Sequence, residues 1–136
     1  MSEAAPARPA TVLVVDDDDD LAWIVCEVLA AEGFVVRRAR DGVDGLHLLE
    51  AALPDVVLMD VEMPHLTGPE LSYRMLLHDL GMDAVPVVLV SGVAELDEVA
   101  RRVGTPYHLA KPYDLDELLT LLRRALDERR APNPPR

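Results

Sequence analysis

Five short runs rich in β-branched and other apolar residues punctuate the chain, at Thr11–Val15, Phe34–Arg37, Asp55–Met59, Val85–Val90 and Tyr107–Ala110. Stretches such as VLVV, VVLM and VVLV have no polar alternate face, which is the pattern of strands covered on both sides. Between and after the runs lie five segments with helical spacing. The clearest carry Leu21, Ile24, Val25, Val28 and Leu29, then Leu115, Leu118, Leu119, Leu122 and Leu126, each an i, i+3, i+4, i+7 stripe. Start signals agree with the spacing. Thr67 and Glu70 form a capping box with Pro69 in the first turn, Asp114 and Glu117 imitate one, and Asp41 precedes a helix over Gly42–Leu53. Strict alternation of strand and helix predicts an α/β fold, a (βα)5 doubly wound sheet of five parallel strands.

The length, 136 residues against about 150 for an average domain, leaves room for one domain and little else. Residues 11–129 are expected to form it. Residues 1–10, rich in Ala and Pro, and 130–136, which read RAPNPPR, are expected to be disordered tails. The net charge of −12 repels phosphate backbones and anionic bilayers, so direct binding to nucleic acid or membrane is not expected. Cys26 has no partner for a disulfide, no apolar run approaches the ~20 residues of a membrane span, and the N-terminus lacks the apolar core of a signal peptide. A cytoplasmic protein is the expectation. Of thirteen basic residues only Lys111 is lysine, which singles out a position where a compact ammonium, rather than a planar fork, meets an anion.

In an open parallel sheet, ligands bind beyond the carboxyl ends of the strands. The first strand is followed by Asp16 and Asp17, the third by Asp60, the fourth by Ser91 and the fifth by Lys111. Each alone is an ordinary turn residue. Together they place acids, a hydroxyl and a cation on one rim. Carboxylates held this close hold their protons too tightly unless a cation neutralises them. Oxygen donors without Cys or His point to Mg²⁺ rather than zinc. With the metal bound, one carboxylate can attack phosphorus and form an acyl phosphate, while lysine and metal share the phosphoryl charge.

At these residues the chain resembles the response-regulator receiver domain of two-component signal transduction. The likeness runs from about Thr11 to Glu128 and rests on VLVVDDD at 12–18, VVLMDVEMPHLTG at 56–68, VLVSG at 88–92 and LAKP at 109–112. The resemblance implies a flavodoxin-like strand order 2-1-3-4-5 and a phosphoprotein in which Asp60 accepts a phosphoryl group from a phosphohistidine. It implies Asp17 and Asp60 as direct Mg²⁺ ligands, the Glu62 backbone carbonyl as a third, and Asp16 acting through water. Ser91 would bind a phosphoryl oxygen, and Lys111 would pair with the acyl phosphate ahead of a cis Lys111–Pro112 bond. The donor would be a sensor histidine kinase or a histidine phosphotransfer protein. The output would be altered binding of a downstream protein or effector domain through the face of the fourth and fifth predicted helices and the strand between them. Such a protein is no enzyme beyond its own phosphorylation and slow autodephosphorylation. It acts alone by contact or as the receiver of a larger regulator.

Two positions depart from the family pattern. His108 stands three residues before the lysine, where Tyr or Phe is usual and partners the hydroxyl residue in switching, with Tyr107 one place earlier; His65 replaces a common glycine. A histidine there is either a pH-responsive replacement or a partly exposed ring. Glu62 and Val93 occupy flanking positions that tune phosphoryl lifetime in the family. Trp23 is expected to pack on a helix face, and His47 and His78 to lie on the surface.

Competing schemes fit less well. Asp16, Asp18, Asp20 and Glu27 fall at places 1, 3, 5 and 12 of a calcium loop, but Leu21 occupies the place that needs glycine and the run follows a strand. Asp18–Asp20 read better as the acidic first turn of a helix. A haloacid-dehalogenase-like phosphatase could use Asp16, Asp18, Ser91 and Lys111, but its second acidic pair should follow another strand, whereas Asp114 and Asp116 open the last helix. A phosphorylation-independent docking module, or a phosphate sink, is the alternative within the family.

Overall fold

The computed structural model describes residues 8–60, 85–92, 96–130 and 133. Five strands, β1 (Thr11–Val15), β2 (Val35–Ala39), β3 (Val56–Asp60), β4 (Val87–Ser91) and β5 (Tyr107–Ala110), form one parallel sheet in the order β2-β1-β3-β4-β5. The described helices are α1 (Asp19–Ala31), α2 (Gly42–Ala51), α3 (Leu96–Val103) and α4 (Leu115–Glu128). The helix expected to start at Thr67, with Pro69 and Glu70, lies outside the described residues, as do Glu62, His65, His78 and Val93.

Local chemistry sets the helix starts. The Asp18 carboxylate accepts from the Leu21 N–H at 3.1 Å and caps α1, leaving Asp19 and Asp20 in its first turn. Asp41 does the same for α2, accepting from Asp44 N–H at 2.8 Å. At α4, Glu117 reaches back to the Asp114 N–H at 3.0 Å. α1 ends where Gly33 takes φ +97°, a left-handed turn that lets the Phe34 N–H reach the Leu29 carbonyl at 3.1 Å. α2 stops at Ala51, short of the expected Leu53.

The sheet separates two cores. Leu13, Val15, Val57, Met59 and Leu89 meet Leu49 of α2 and Leu96, Val99 and Val103 of α3 on one side. Val12, Val14, Val56, Leu58, Val88 and Tyr107 meet Val25 and Leu29 of α1 and Leu118, Leu119 and Leu122 of α4 on the other. Burial of both strand faces explains the runs without polar alternation.

Several expectations change. The buried stripe of α1 is Ala22, Val25 and Leu29, whereas Leu21 and Ile24 are exposed. Trp23 is 66% exposed and does not pack into the core. Helical periodicity fixes the spacing of a stripe, but the sheet chooses which of several apolar rows it covers. β2 runs to Ala39 because its ladder with β1 continues through Arg38 and Ala39 opposite Val14 and Val15; an edge strand tolerates the polar side chains. Within the segments expected to be tails, two points are tied to the domain. Arg8 makes a bidentate bond to Asp55 at 2.9 and 3.1 Å, and the Asn133 N–H donates to the Gly104 carbonyl at 2.8 Å.

Candidate functional site

Parallel pairing in register brings the carboxyl ends of β1, β3, β4 and β5 to one edge. Asp60 and Ser91 are the last residues of β3 and β4, which each end one residue later than the sequence predicts, and Asp16 and Lys111 directly follow β1 and β5. Carboxylate oxygens of Asp16, Asp17 and Asp60 lie within 4.8 Å of one another, with Asp16 and Asp60 buried and Asp17 exposed. The Lys111 ammonium donates to Asp60 Oδ2 at 3.0 Å. Its backbone N–H donates to the Ser91 carbonyl at 2.9 Å, tying the cation's strand end to that of the fully buried hydroxyl residue. The Lys111–Pro112 peptide is cis.

The loop carrying the acid pair is held from several directions. The Asp16 N–H donates to the Ala39 carbonyl at 3.1 Å, and Asp16 Oδ1 accepts from the Asp18 N–H at 2.9 Å. Arg38 donates through Nε at 3.2 Å and Nη2 at 2.9 Å to the Asp16 carbonyl, and its Nη1 lies 2.8 Å from Asp19 Oδ1. Asp18, expected by the calcium and phosphatase schemes to be a ligand or catalyst, has its carboxylate on the α1 N-terminus.

Burial pushes the Asp16 carboxyl up to about 6. The negative charges of Asp60 and Asp17 add to the rise, while the Asp18 N–H and Lys111 oppose it. Burial likewise raises the Tyr113 phenol, which also feels Lys111, Asp16 and Asp60. Three clustered carboxylates against one ammonium are a net-negative, all-oxygen donor set. That donor chemistry fits a hard divalent cation such as Mg²⁺.

Of the residues singled out in the sequence, Asp16, Asp17, Asp60 and Lys111 come together, and Ser91 ends the strand between those of Asp60 and Lys111. His108 and Tyr107 face opposite sides of the sheet, as neighbours on a strand must. Tyr107 is buried against α4, its hydroxyl donating to Glu128 Oε1 at 2.9 Å. His108 is half-buried with Nε2 2.8 Å from Asp97 Oδ1 at the start of α3, and its buried Nδ1 has no partner among the described residues. His47 is exposed on α2. Sequence reasoning missed Arg38 and Tyr113. Tyr113 stands two residues after the lysine, a usable signal; Arg38 reaches the site only through strand pairing.

The response regulator receiver domain model matches residues 12–123, across all five strands and every described acid of the site. The chain belongs to the response-regulator receiver domain family. It is 37% identical over 117 residues to the regulatory protein AtoC of Escherichia coli (strain K12), covering 85% of this chain and 25% of that protein. It is 30% identical over 117 residues to sporulation initiation phosphotransferase F of Bacillus subtilis (strain 168), covering 85% of this chain and 92% of that one. Among solved structures it resembles the chemotaxis protein CheY4 of Vibrio cholerae, with a TM-score of 0.75 and 30% identity over 85% of this chain and 98% of that one. The receiver thus corresponds to about a quarter of some relatives and nearly all of others. Receivers are switches of two-component signalling rather than classical enzymes; they interact with histidine kinases or phosphotransfer proteins and with effector domains, and generally bind Mg²⁺ at the acidic pocket. Among the described residues, no helix is long and apolar enough to cross a membrane.

Proposed function

We propose that this receiver accepts a phosphoryl group on Asp60 from a phosphohistidine of a sensor kinase or phosphotransfer protein, and that the modified site alters binding through the face built by α3, β5 and α4. The observation that carries the reading is the pairing of Asp60 with Lys111 at 3.0 Å inside a cluster of three carboxylates at the strand ends. An Asp60 carboxylate oxygen attacks phosphorus, the P–N bond breaks as the O–P bond forms, and the imidazole departs with the bonding pair and takes up a proton. Lys111 follows the new phosphoryl charge as it leaves the carboxylate. Asp16, Asp17, Asp60 and the Glu62 carbonyl are the residues that would hold Mg²⁺, with Asp16 acting through water. When bound, the metal supplies positive charge that offsets the repulsion between the acids and the phosphoryl oxygens.

Ser91 is the hydroxyl drawn toward the phosphoryl group. It ends β4, five residues before α3 begins, and Lys111 follows β5, so both lead directly into the output face. The added charge and acceptor oxygens shift a pre-existing equilibrium of that face. His108 joins β5 to Asp97 of α3 and takes the place of the aromatic switch residue.

Intact-protein mass after incubation with acetyl phosphate tests the reading, with and without Mg²⁺, on wild type and Asp60→Asn. One Mg²⁺-dependent phosphoryl adduct, stable in acid, labile in base and absent from the variant, is the expected result. A folded protein that takes no adduct under any condition overturns the phosphoacceptor reading and leaves a phosphorylation-independent docking module.

A further inference from the structure

Arg38 and Arg37 are neighbours on the edge strand β2, and alternation sends them to opposite faces. Both spend their guanidinium groups on backbone carbonyls. Arg37 donates through Nη1 to the Leu48 carbonyl at 3.1 Å and through Nη2 to the Ala52 carbonyl at 2.8 Å, at the far end of α2. Arg38 grips the loop between β1 and α1, placing Nε and Nη2 on the Asp16 carbonyl and Nη1 on Asp19. With the Asp16 N–H on Ala39, both backbone polar groups of Asp16 are tied to β2. One end of the Asp16 carboxylate is taken by the Asp18 N–H. Asp17 is exposed between these two held points, and its carboxylate still comes within reach of Asp16 and Asp60.

We propose that Arg38 is a positioning residue for the divalent cation, aiming the Asp16–Asp17 loop at Asp60 by clamping the Asp16 carbonyl and Asp19. This rests on the metal reading above and concerns how the ligands are held. A lysine does not supply the same hold, because the clamp needs two donors on one carbonyl and a third on a carboxylate, the planar fork that only guanidinium offers. Groups that orient metal ligands from behind typically change affinity 10- to 100-fold when removed.

Geometry and charge make opposite demands here, which gives a clean test. A guanidinium beside the site repels a divalent cation, so removing a mere charge tightens binding, whereas removing a clamp weakens it. The probe is Mn²⁺, with the free ion counted by its EPR signal at constant ionic strength and Mg²⁺ used to displace it. Wild type, Arg38→Met, Arg38→Lys and Arg37→Met are compared, each with a thermal melt. Arg38→Met is expected to raise the Mn²⁺ Kd roughly tenfold. Arg38→Lys is expected to raise it severalfold, and Arg37→Met to lower Tm without moving the Kd beyond twofold. Tighter binding by Arg38→Met overturns the proposal in favour of a charge effect. Lower Tm in both Met variants with wild-type Kd overturns it in favour of a purely structural role. If Arg38→Met does not fold, Arg38→Lys decides: unchanged Kd overturns the clamp. Wild type without saturable Mn²⁺ binding overturns the metal reading and the clamp together. Saturable wild-type binding with unaltered Arg38 variants overturns the clamp alone.

Discussion

Replacing Asp16 by Asn should make the protein more stable while weakening its hold on a divalent cation. Asp16 is only 7% exposed, and its carboxyl titrates near 6 instead of its ordinary 3.8. A difference of about two units corresponds to about 3 kcal/mol at 1.36 kcal/mol per unit. Between these two values the folded protein keeps a proton that the unfolded chain has already lost. Stability therefore falls as pH rises from 3.8 through 6 and stays at the lower level above. Asn does not ionise, and its Oδ1 can still accept from the Asp18 N–H. Without divalent cations, Asp16→Asn should gain about 1 kcal/mol over wild type at pH 4.5 and about 3 kcal/mol at pH 7.5. Urea unfolding in EDTA at both pH values measures this. Saturating Mg²⁺ should then narrow or reverse the order, because a ligand stabilises the form that binds it. A gain of the same size at both pH values, or a variant less stable than wild type at pH 7.5, refutes the reasoning.

The ammonium of Lys111 is hydrogen-bonded to the buried Asp60 carboxylate, so Lys111→Met, which leaves that charge without its cation, should cost about 3–5 kcal/mol without metal. In an Asp60→Asn background the cost should drop below ~0.5 kcal/mol, and a double-mutant cycle by urea unfolding checks the coupling. Leu122 is fully buried between α4 and the sheet, and Leu122→Ala should cost about 2–5 kcal/mol in the same assay. Trp23→Ala, at a position 66% exposed, should change stability by no more than ~0.5 kcal/mol; a loss of several kcal/mol would show that the indole packs after all.

The layered α/β architecture was legible in the sequence because its signals are local. Apolar runs without alternation, Asp18, Asp41 and Asp114 at helix starts, and alternation of strand with helix act within a few residues and need no partner. The rim of the site was legible for the same reason: in a parallel sheet every strand points the same way, so the residue after each strand is already assigned to one edge. Tertiary structure decided what depends on pairing. The register of β2 against β1 carries Arg38 to the Asp16 carbonyl, a contact between residues 22 apart that no spacing announces. The placement of the sheet decided that Val25 and Leu29, rather than Trp23 and Ile24, face the core. Strand alternation together with the position of α3 decided that His108 meets Asp97 while Tyr107 turns to α4. Local periodicity specifies which side chains share a face; only the packed neighbours specify which face is buried and what each polar group finds there.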